Sequence, residues 1–400
     1  MAANWEIFPI PAHLCREVHL PAQQVIVSFR KFSESQLSHV RKTLRLLAMQ
    51  SRNRDRGRLM PFNSAPNECP FKIGHTPLTR FSIQIGDHQH ELLIKEERLN
   101  EFGSIKDRVA WYILSRTIEA QGPVTAVVDA SSGNYGNALA CICERQGIQA
   151  TIVSSPSISA YNAEGIRKAG ARLVIAEAQP GESSNAARMR VAGEIAKAEG
   201  MVFLDQYANF LNPASHQNWT APEVFAQGPF DACFATSSSG GTARGFTDYL
   251  RARQDKTPLF LVEPQGSCAF VAPDDSDGEK LKIPGYGSQR RSTFAEITPP
   301  PAMLRVQEPA VLAAFALLHE HKLAEVGLSS VGVMLGAMQW LSEQDGPRSA
   351  VCICADGDER YVDEFESRYL PSVDRADYDA AYAELSPIIA SMKQVMRANA

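Results

Sequence analysis

Three strand-to-helix loops carry the residue types that do chemistry in this sequence. In Thr236-Ser237-Ser238-Ser239-Gly240-Gly241-Thr242-Ala243-Arg244-Gly245, adjacent glycines flanked by hydroxyls open a helix. Glycine lets backbone N–H groups close on an anion, and the helix start adds positive charge, so this run is a phosphate cradle. It lacks the glycine spacing and Lys-Ser/Thr pair of a nucleotide P-loop and is no GxGxxG fingerprint, which points to a phosphorylated cofactor. The loop Asp129-Ala130-Ser131-Ser132-Gly133-Asn134-Tyr135-Gly136-Asn137 has the same build in weaker form. It reads equally as a carboxylate or phosphate site and as a plain N-cap and turn. In Asn100-Glu101-Phe102-Gly103-Ser104-Ile105-Lys106-Asp107-Arg108, a lysine opens a helix. The helix dipole disfavours a cation there and lowers the lysine's pKa, which suits Schiff-base chemistry. Most lysines at helix ends are solvated bystanders, so the weight lies in the three loops occurring together.

Each loop needs a strand before it or a helix after it, and the flanking sequence supplies them. Apolar runs at 92–94, 124–128, 150–153, 172–175, 201–204, 232–235, 259–262 and 350–354 read as strands; patterns at 106–120, 137–146, 160–169, 184–198, 242–253, 309–318 and 331–342 read as helices. Near-continuous apolar strands alternating with helices mean mainly parallel sheets covered on both faces. The strands cluster at about 120–205 and 230–355, so two doubly wound α/β domains are expected, with a ligand cleft beyond the carboxyl ends of their strands.

Composition narrows the function. The 400 residues are 44% hydrophobic and 21% charged, the make-up of a chain that folds. Lys+Arg 40 against Asp+Glu 45 leaves a net charge of −5, without the strong positive field that non-specific nucleic-acid or membrane binding needs. No run reaches the length of a membrane span, and the N-terminus lacks a basic segment followed by an apolar one, so a cytoplasmic protein is expected. The eight cysteines show no zinc spacing; Cys352 and Cys354 share one face of a buried strand, and the nine histidines suggest no metal site. The basic run 52–58 reads as a solvated linker.

Seven motifs then occur in a familiar order. Ile73-Gly74-His75-Thr76-Pro77-Leu78, Gly103-Ser104-Ile105-Lys106-Asp107-Arg108, Ser131-Ser132-Gly133-Asn134-Tyr135-Gly136, Ser239-Gly240-Gly241-Thr242, Val262-Glu263-Pro264, Gly285-Tyr286-Gly287 and Gly327-Leu328-Ser329-Ser330 resemble those of the cysteine synthase and cystathionine β-synthase group. That group belongs to the fold-type II (tryptophan synthase β) pyridoxal-phosphate enzymes, and the resemblance covers about residues 70 to 365. It implies that pyridoxal 5'-phosphate sits in the cleft between the domains and forms an internal aldimine with Lys106. Asn134 would bond the cofactor's 3′-oxygen, Ser238, Ser239, Gly240, Gly241 and Thr242 would hold its phosphate, and Ser329 would face its pyridine nitrogen. Ser131, Ser132, Asn134, Tyr135 and Gln206 would hold the substrate α-carboxylate, with Gly285 and Tyr286 nearby. A neutral partner for the ring nitrogen favours β-elimination. The implied activity is β-replacement on an activated L-serine (O-acetyl-, O-phospho-L-serine or serine) through an aminoacrylate, giving a β-substituted L-alanine such as cysteine, cystathionine or 2,3-diaminopropionate.

The resemblance also implies a small amino-acid substrate, a small nucleophile and a homodimer. It divides the chain into an N-terminal extension 1–70, a large cofactor-binding domain 71–99 and 210–365, a smaller α/β domain 100–209 and a helical tail 366–400. Departures from the family pattern are Tyr135 for threonine, Ser238-Ser239 in the phosphate loop, Val331 for glycine, and Asp356-Gly357-Asp358-Glu359-Arg360 for a serine-rich turn. Arg290 and Arg291 stand where a phosphorylated leaving group could be received, or form a solvated pair. The extension exceeds what simple cysteine synthases carry; Cys15 with His13 or His19 invites comparison with a haem site, but a dimer arm or access cover is favoured. The rival readings are a serine/threonine β-eliminating ammonia-lyase and a non-catalytic cofactor-binding protein.

Overall fold

In the computed structural model, the described residues are 69–270, 281–297 and 300–395. The expected helix over 33–50, the basic run 52–58 and the cluster of Cys15, His13 and His19 lie outside them.

Two sheets form. β1 (Leu78–Ile85) and β2 (His88–Glu96) are an antiparallel hairpin. β3 (Ala126–Ala130), β4 (Gln149–Ser154), β5 (Arg172–Ile175) and the two-residue β6 (Val202–Phe203) make an all-parallel sheet in the order β5-β4-β3-β6. β7 (Ala232–Ala235), β8 (Leu259–Glu263), β9 (Ala302–Arg305), β10 (Ser349–Cys354) and β11 (Lys393–Gln394) join the hairpin in a seven-stranded sheet, β11-β1-β2-β10-β7-β8-β9. Only the pairings of β1 are antiparallel; β2-β10, β10-β7, β7-β8 and β8-β9 run parallel. The chain is thus α/β with two mostly parallel sheets, as the apolar strands require.

Strand β10 shows why its sequence is apolar throughout. Ala350, Cys352 and Cys354 belong to one core cluster, while Val351 and Ile353 point into another. Period-two alternation therefore buries both faces, and Cys352 and Cys354 do share one. Burial raises both thiols well above the usual range, which makes them inert packing groups.

Helices cover these faces: α1 (Lys106–Gln121), α2 (Asn134–Gln146), α3 (Ala160–Lys168), α4 (Ser184–Glu199), α5 (Leu211–Ser215), α6 (Ala221–Phe225), α7 (Gly241–Ala252), α8 (Glu308–Glu320), α9 (Leu328–Ser342) and α10 (Arg375–Ala390). Between α5 and α6 the chain makes a π turn over His216–Thr220. The tail is anchored: α10 packs on α8, and β11 extends the sheet edge at β1. No helix among the described residues is long and apolar enough to cross a membrane.

Candidate active site

The carboxyl ends of β3, β6, β7 and β10 open onto one cleft of about 570 Å³. It is lined by Lys106, Ser131, Ser132, Asn134, Tyr135, Gln206, Ser238, Ser239, Gly240, Thr242, Gly285 and Ser329. Twelve residues singled out from the sequence therefore meet at one place.

Lys106 begins α1. The preceding residue is tied to β10, since Ile105 N–H donates to the Ala355 carbonyl at 2.8 Å. Asp107 then closes the turn by accepting from Phe102 N–H at 2.7 Å and the Ser104 hydroxyl at 3.2 Å. Burial pushes the Lys106 amine down to about 8, with the Asp356 carboxylate pulling the other way. A lysine so placed gives up its proton far more readily than a solvated one and is better suited to act as nucleophile and base.

Behind that first turn lies a buried set of two cations and two anions. Arg108 donates to both oxygens of Glu97 at 2.6 and 2.7 Å and to Glu223 at 2.9 and 3.0 Å. Lys95 donates to Glu223 at 2.6 Å, and Thr76 to Glu97 at 2.7 Å. Thr76 and Arg108, both parts of recognised motifs, serve here to fix α1 against β2 and α6.

The phosphate cradle follows β7. Gly240 has φ +89°, and a Cβ there would strike Ser292, whose hydroxyl donates to the Ser239 carbonyl at 2.6 Å. Glycine is thus required by conformation and by space. Gly241 is buried as the first residue of α7, against the Asn212 carboxamide. Asn212 donates to the Ser239 hydroxyl at 3.2 Å, and its own Oδ1 is buried without a partner. Backbone N–H groups at the start of a 12-residue helix, a left-handed glycine and a nearby hydroxyl fit a phosphate group.

In the loop after β3, the Ser131 hydroxyl accepts from Gly133 N–H at 3.2 Å and Gly136 N–H at 3.0 Å, so it caps the turn that starts α2. Gln206 donates to the Ala130 carbonyl at 2.8 Å, and its backbone N–H reaches Asp129 at 3.2 Å. Burial pushes the Asp129 carboxyl up to about 7. Tyr135 borders the cleft, but its ring is buried in a core cluster with Val127 and Ile152.

Three expected substrate-contacting residues are not part of the cleft lining. Tyr286 is fully buried and donates to the Val306 carbonyl at 3.1 Å. Arg291 is exposed and pairs with Glu296 at 3.2 Å. Arg290, also exposed, lies over the ring of Tyr207 at 5.9 Å, a residue that does line the cleft.

The cleft also contains residues assigned no site role from the sequence. Arg188, in α4, is 8% exposed; it donates to the Ser132 hydroxyl and, at 3.0 Å, to Asn185, while its Nε is buried without a partner. It makes no ion pair among the described residues. A single arginine on a helical face gives no sequence signal. Asp356 and Arg360 line the cleft too, and both come from the turn whose sequence departed from the family pattern.

Comparison with known proteins agrees with this geometry. A sequence profile described as pyridoxal-phosphate dependent enzyme matches residues 70–356. An N-(2-amino-2-carboxyethyl)-L-glutamate synthase from Cupriavidus metallidurans is 34% identical over 54% of this chain and 64% of that protein. Its counterpart from Ralstonia nicotianae is 29% identical over 81% of this chain and 97% of that protein. A cysteine synthase from Staphylococcus aureus is 26% identical over 72% and 93%. Among solved structures, an O-ureido-L-serine synthase matches with a TM-score of 0.67 at 23% identity, covering 78% of this chain and 97% of that one, a likeness of fold.

Proposed function

Because the chain belongs to the pyridoxal-phosphate dependent enzyme family, we propose that its cleft performs β-replacement on O-phospho-L-serine with an amino-acid amine as nucleophile, giving a 2,3-diaminopropionate-type product. Arg188 carries this reading. The cleft has two places for anions: the cradle at Ser238–Thr242, which suits the cofactor phosphate, and the buried Arg188 guanidinium, with an unpartnered N–H and no ion pair among the described residues. A buried cation calls for a counter-charge, and a phosphate ester on the donor supplies it in bidentate form. An acetyl ester does not. The amine nucleophile is supported by the two relatives named as glutamate-derived amino-acid synthases.

The cofactor, when bound, would supply the electron sink that lets an α-proton and a β-leaving group depart. Lys106 would hold its carbonyl carbon, Asn134 its phenolic oxygen, Ser329 its ring nitrogen, and Ser238, Ser239, Gly240, Gly241 and Thr242 its phosphate. Lys106, with its amine at about 8, takes the α-proton and returns it. The loop from Ser131 to Tyr135, with Gln206 beneath it, receives the α-carboxylate. Arg188 neutralises the phosphate as it leaves.

The test is phosphate release from O-phospho-L-serine in the presence of amino-acid acceptors, set against acetate release from O-acetyl-L-serine. Arg188→Ala is expected to raise KM for the phosphorylated donor about 10- to 100-fold, the worth of a charge-assisted hydrogen bond, and to leave the acetylated donor nearly untouched. Equal use of both donors, insensitive to Arg188→Ala, refutes the donor assignment. Pyruvate and ammonia formed without an acceptor make the protein a β-eliminating lyase instead.

A further inference from the structure

The Asn134 side chain is held at both ends. Its Nδ2 donates to Asp356 Oδ2 at 2.6 Å, and its Oδ1 accepts from Arg360 Nη1 at 3.1 Å. Asn134 stands at the start of α2 on the four-stranded sheet, whereas Asp356 and Arg360 follow β10 of the seven-stranded sheet. The contact therefore spans the cleft.

We propose that Asp356 and Arg360 are positioning residues that lock the Asn134 carboxamide in one orientation, so that it presents a fixed N–H donor to the cleft. A carboxylate accepts only and a guanidinium donates only. Flipping the amide would set its oxygen against Asp356 and its NH2 against Arg360, and both contacts would turn repulsive. One Nδ2–H is spent on Asp356; the second remains for a bound group. An asparagine fixed in this way is set to donate to an anionic or otherwise accepting oxygen.

Both anchors make further contacts of their own. Asp356 Oδ2 also accepts from the Tyr361 hydroxyl at 2.6 Å, and a Cβ at Gly327 would strike Oδ1, which is buried without a partner. Arg360 donates to the Phe102 carbonyl at 2.8 Å, and its guanidinium lies 4.7 Å from the centre of the Tyr161 ring. Burial raises the Asp356 carboxyl while Arg360, Tyr361, Asn134 and Lys106 pull it down; the three charged groups of the cluster support one another. The proposal rests on the reading that Asn134 contacts the cofactor, and only the consequence for binding depends on that reading.

Two measurements separate them. In the apoprotein, the side-chain amide protons of Asn134, assigned by their loss in Asn134→Ala, are expected as a widely split pair with one proton downfield and slow to exchange. Asp356→Asn should collapse the split. In the second measurement, fluorescence titration of the apoprotein with pyridoxal phosphate, Asn134→Ala and Asp356→Asn should each weaken binding about tenfold. The double substitution should then cost about tenfold rather than a hundredfold, because Asp356 acts through Asn134. Should Asp356→Asn fail to fold, Tyr361→Phe removes one donor from the same carboxylate and is expected to weaken binding about threefold, with no added effect in the Asn134→Ala background. An averaged amide pair in the wild-type protein, or penalties that multiply, overturns the proposal. Wild-type protein that shows the split pair yet takes up no pyridoxal phosphate retains the locked orientation and refutes the proposed function.

Discussion

Replacing Lys106 by methionine should make the apoprotein more stable at neutral pH, against the usual expectation for a residue at the centre of a site. Burial pushes this amine down to about 8, whereas an unfolded lysine titrates near 10.4. The difference, at about 1.36 kcal/mol per pH unit, is about 3 kcal/mol for a fully desolvated group. Lys106 keeps some contact with solvent in the cleft, and screening brings the figure to about 1–2 kcal/mol. Between pH 8 and 10.4 the unfolded chain binds the proton that the folded chain has released, so this group makes stability rise with pH across that window. Lys106→Met abolishes both the penalty and its pH dependence. Urea unfolding of the two apoproteins at pH 7 and pH 10 measures the effect: the variant should be more stable at pH 7 by about 1–2 kcal/mol, and the gap should shrink at pH 10. Lys95 is also lowered by burial but is common to both proteins and cancels. A variant less stable at pH 7, or a gap that does not change with pH, would refute the argument that burial outweighs the attraction of Asp356.

Other outcomes follow from the same contacts. Arg108→Met leaves Glu97 and Glu223 buried without their main partner and should cost about 3–5 kcal/mol in chemical denaturation. Glu223, whose carboxyl is held at about 2 mainly by Arg108 and then Lys95 against the cost of burial, adds stability that is complete above about pH 4.3 and is lost as pH falls towards 2. The deficit of Glu223→Gln in urea midpoints should therefore be larger at pH 6 than at pH 3. Gly327→Ala sets a Cβ against Asp356 Oδ1 and the Tyr361 ring; overpacking should cost about 1–3 kcal/mol and displace the carboxylate from Asn134, weakening uptake of pyridoxal phosphate.

How legible these features are in the sequence depends on how local their physics is. The strand at 232–235 forms with the bounds its apolar run suggests, and β4, β8 and β10 extend theirs by a residue or two, because a strand buried on both faces is apolar almost throughout; the edge strand at 172–175 also keeps its bounds, although its ends are exposed. β1 is different. In Leu78–Ile85 only Phe81, Ile83 and Ile85 are buried, so it alternates beside the two-residue edge strand β11 and reads as loop when continuous apolar runs are sought. The strand expected at 201–204 shrinks to Val202–Phe203, an edge with one neighbour. The helical stretch around Leu211–Phe225 is concealed by Pro213 and Pro222 and by the π turn between them.

The site divides along the same line. The cradle at Gly240 and the lysine at the start of α1 are backbone devices, complete within a few residues, and their residue types announce them. Arg188 is an ordinary helical arginine until the fold turns it into the cleft, and Arg290 and Arg291, which look like an anion site in sequence, face outward. Asp356 and Arg360 are the instructive pair. Their turn stood out only as a departure from the family pattern, and nothing within it states what a carboxylate and a guanidinium four residues apart would grip. The partner of both is Asn134, 222 residues before the first and 226 before the second, and it is the meeting of the two sheets' strand ends that joins them. A carboxamide flanked by one obligate acceptor and one obligate donor has a single satisfied orientation. That orientation is a property of the fold, although every group that enforces it is written in the sequence.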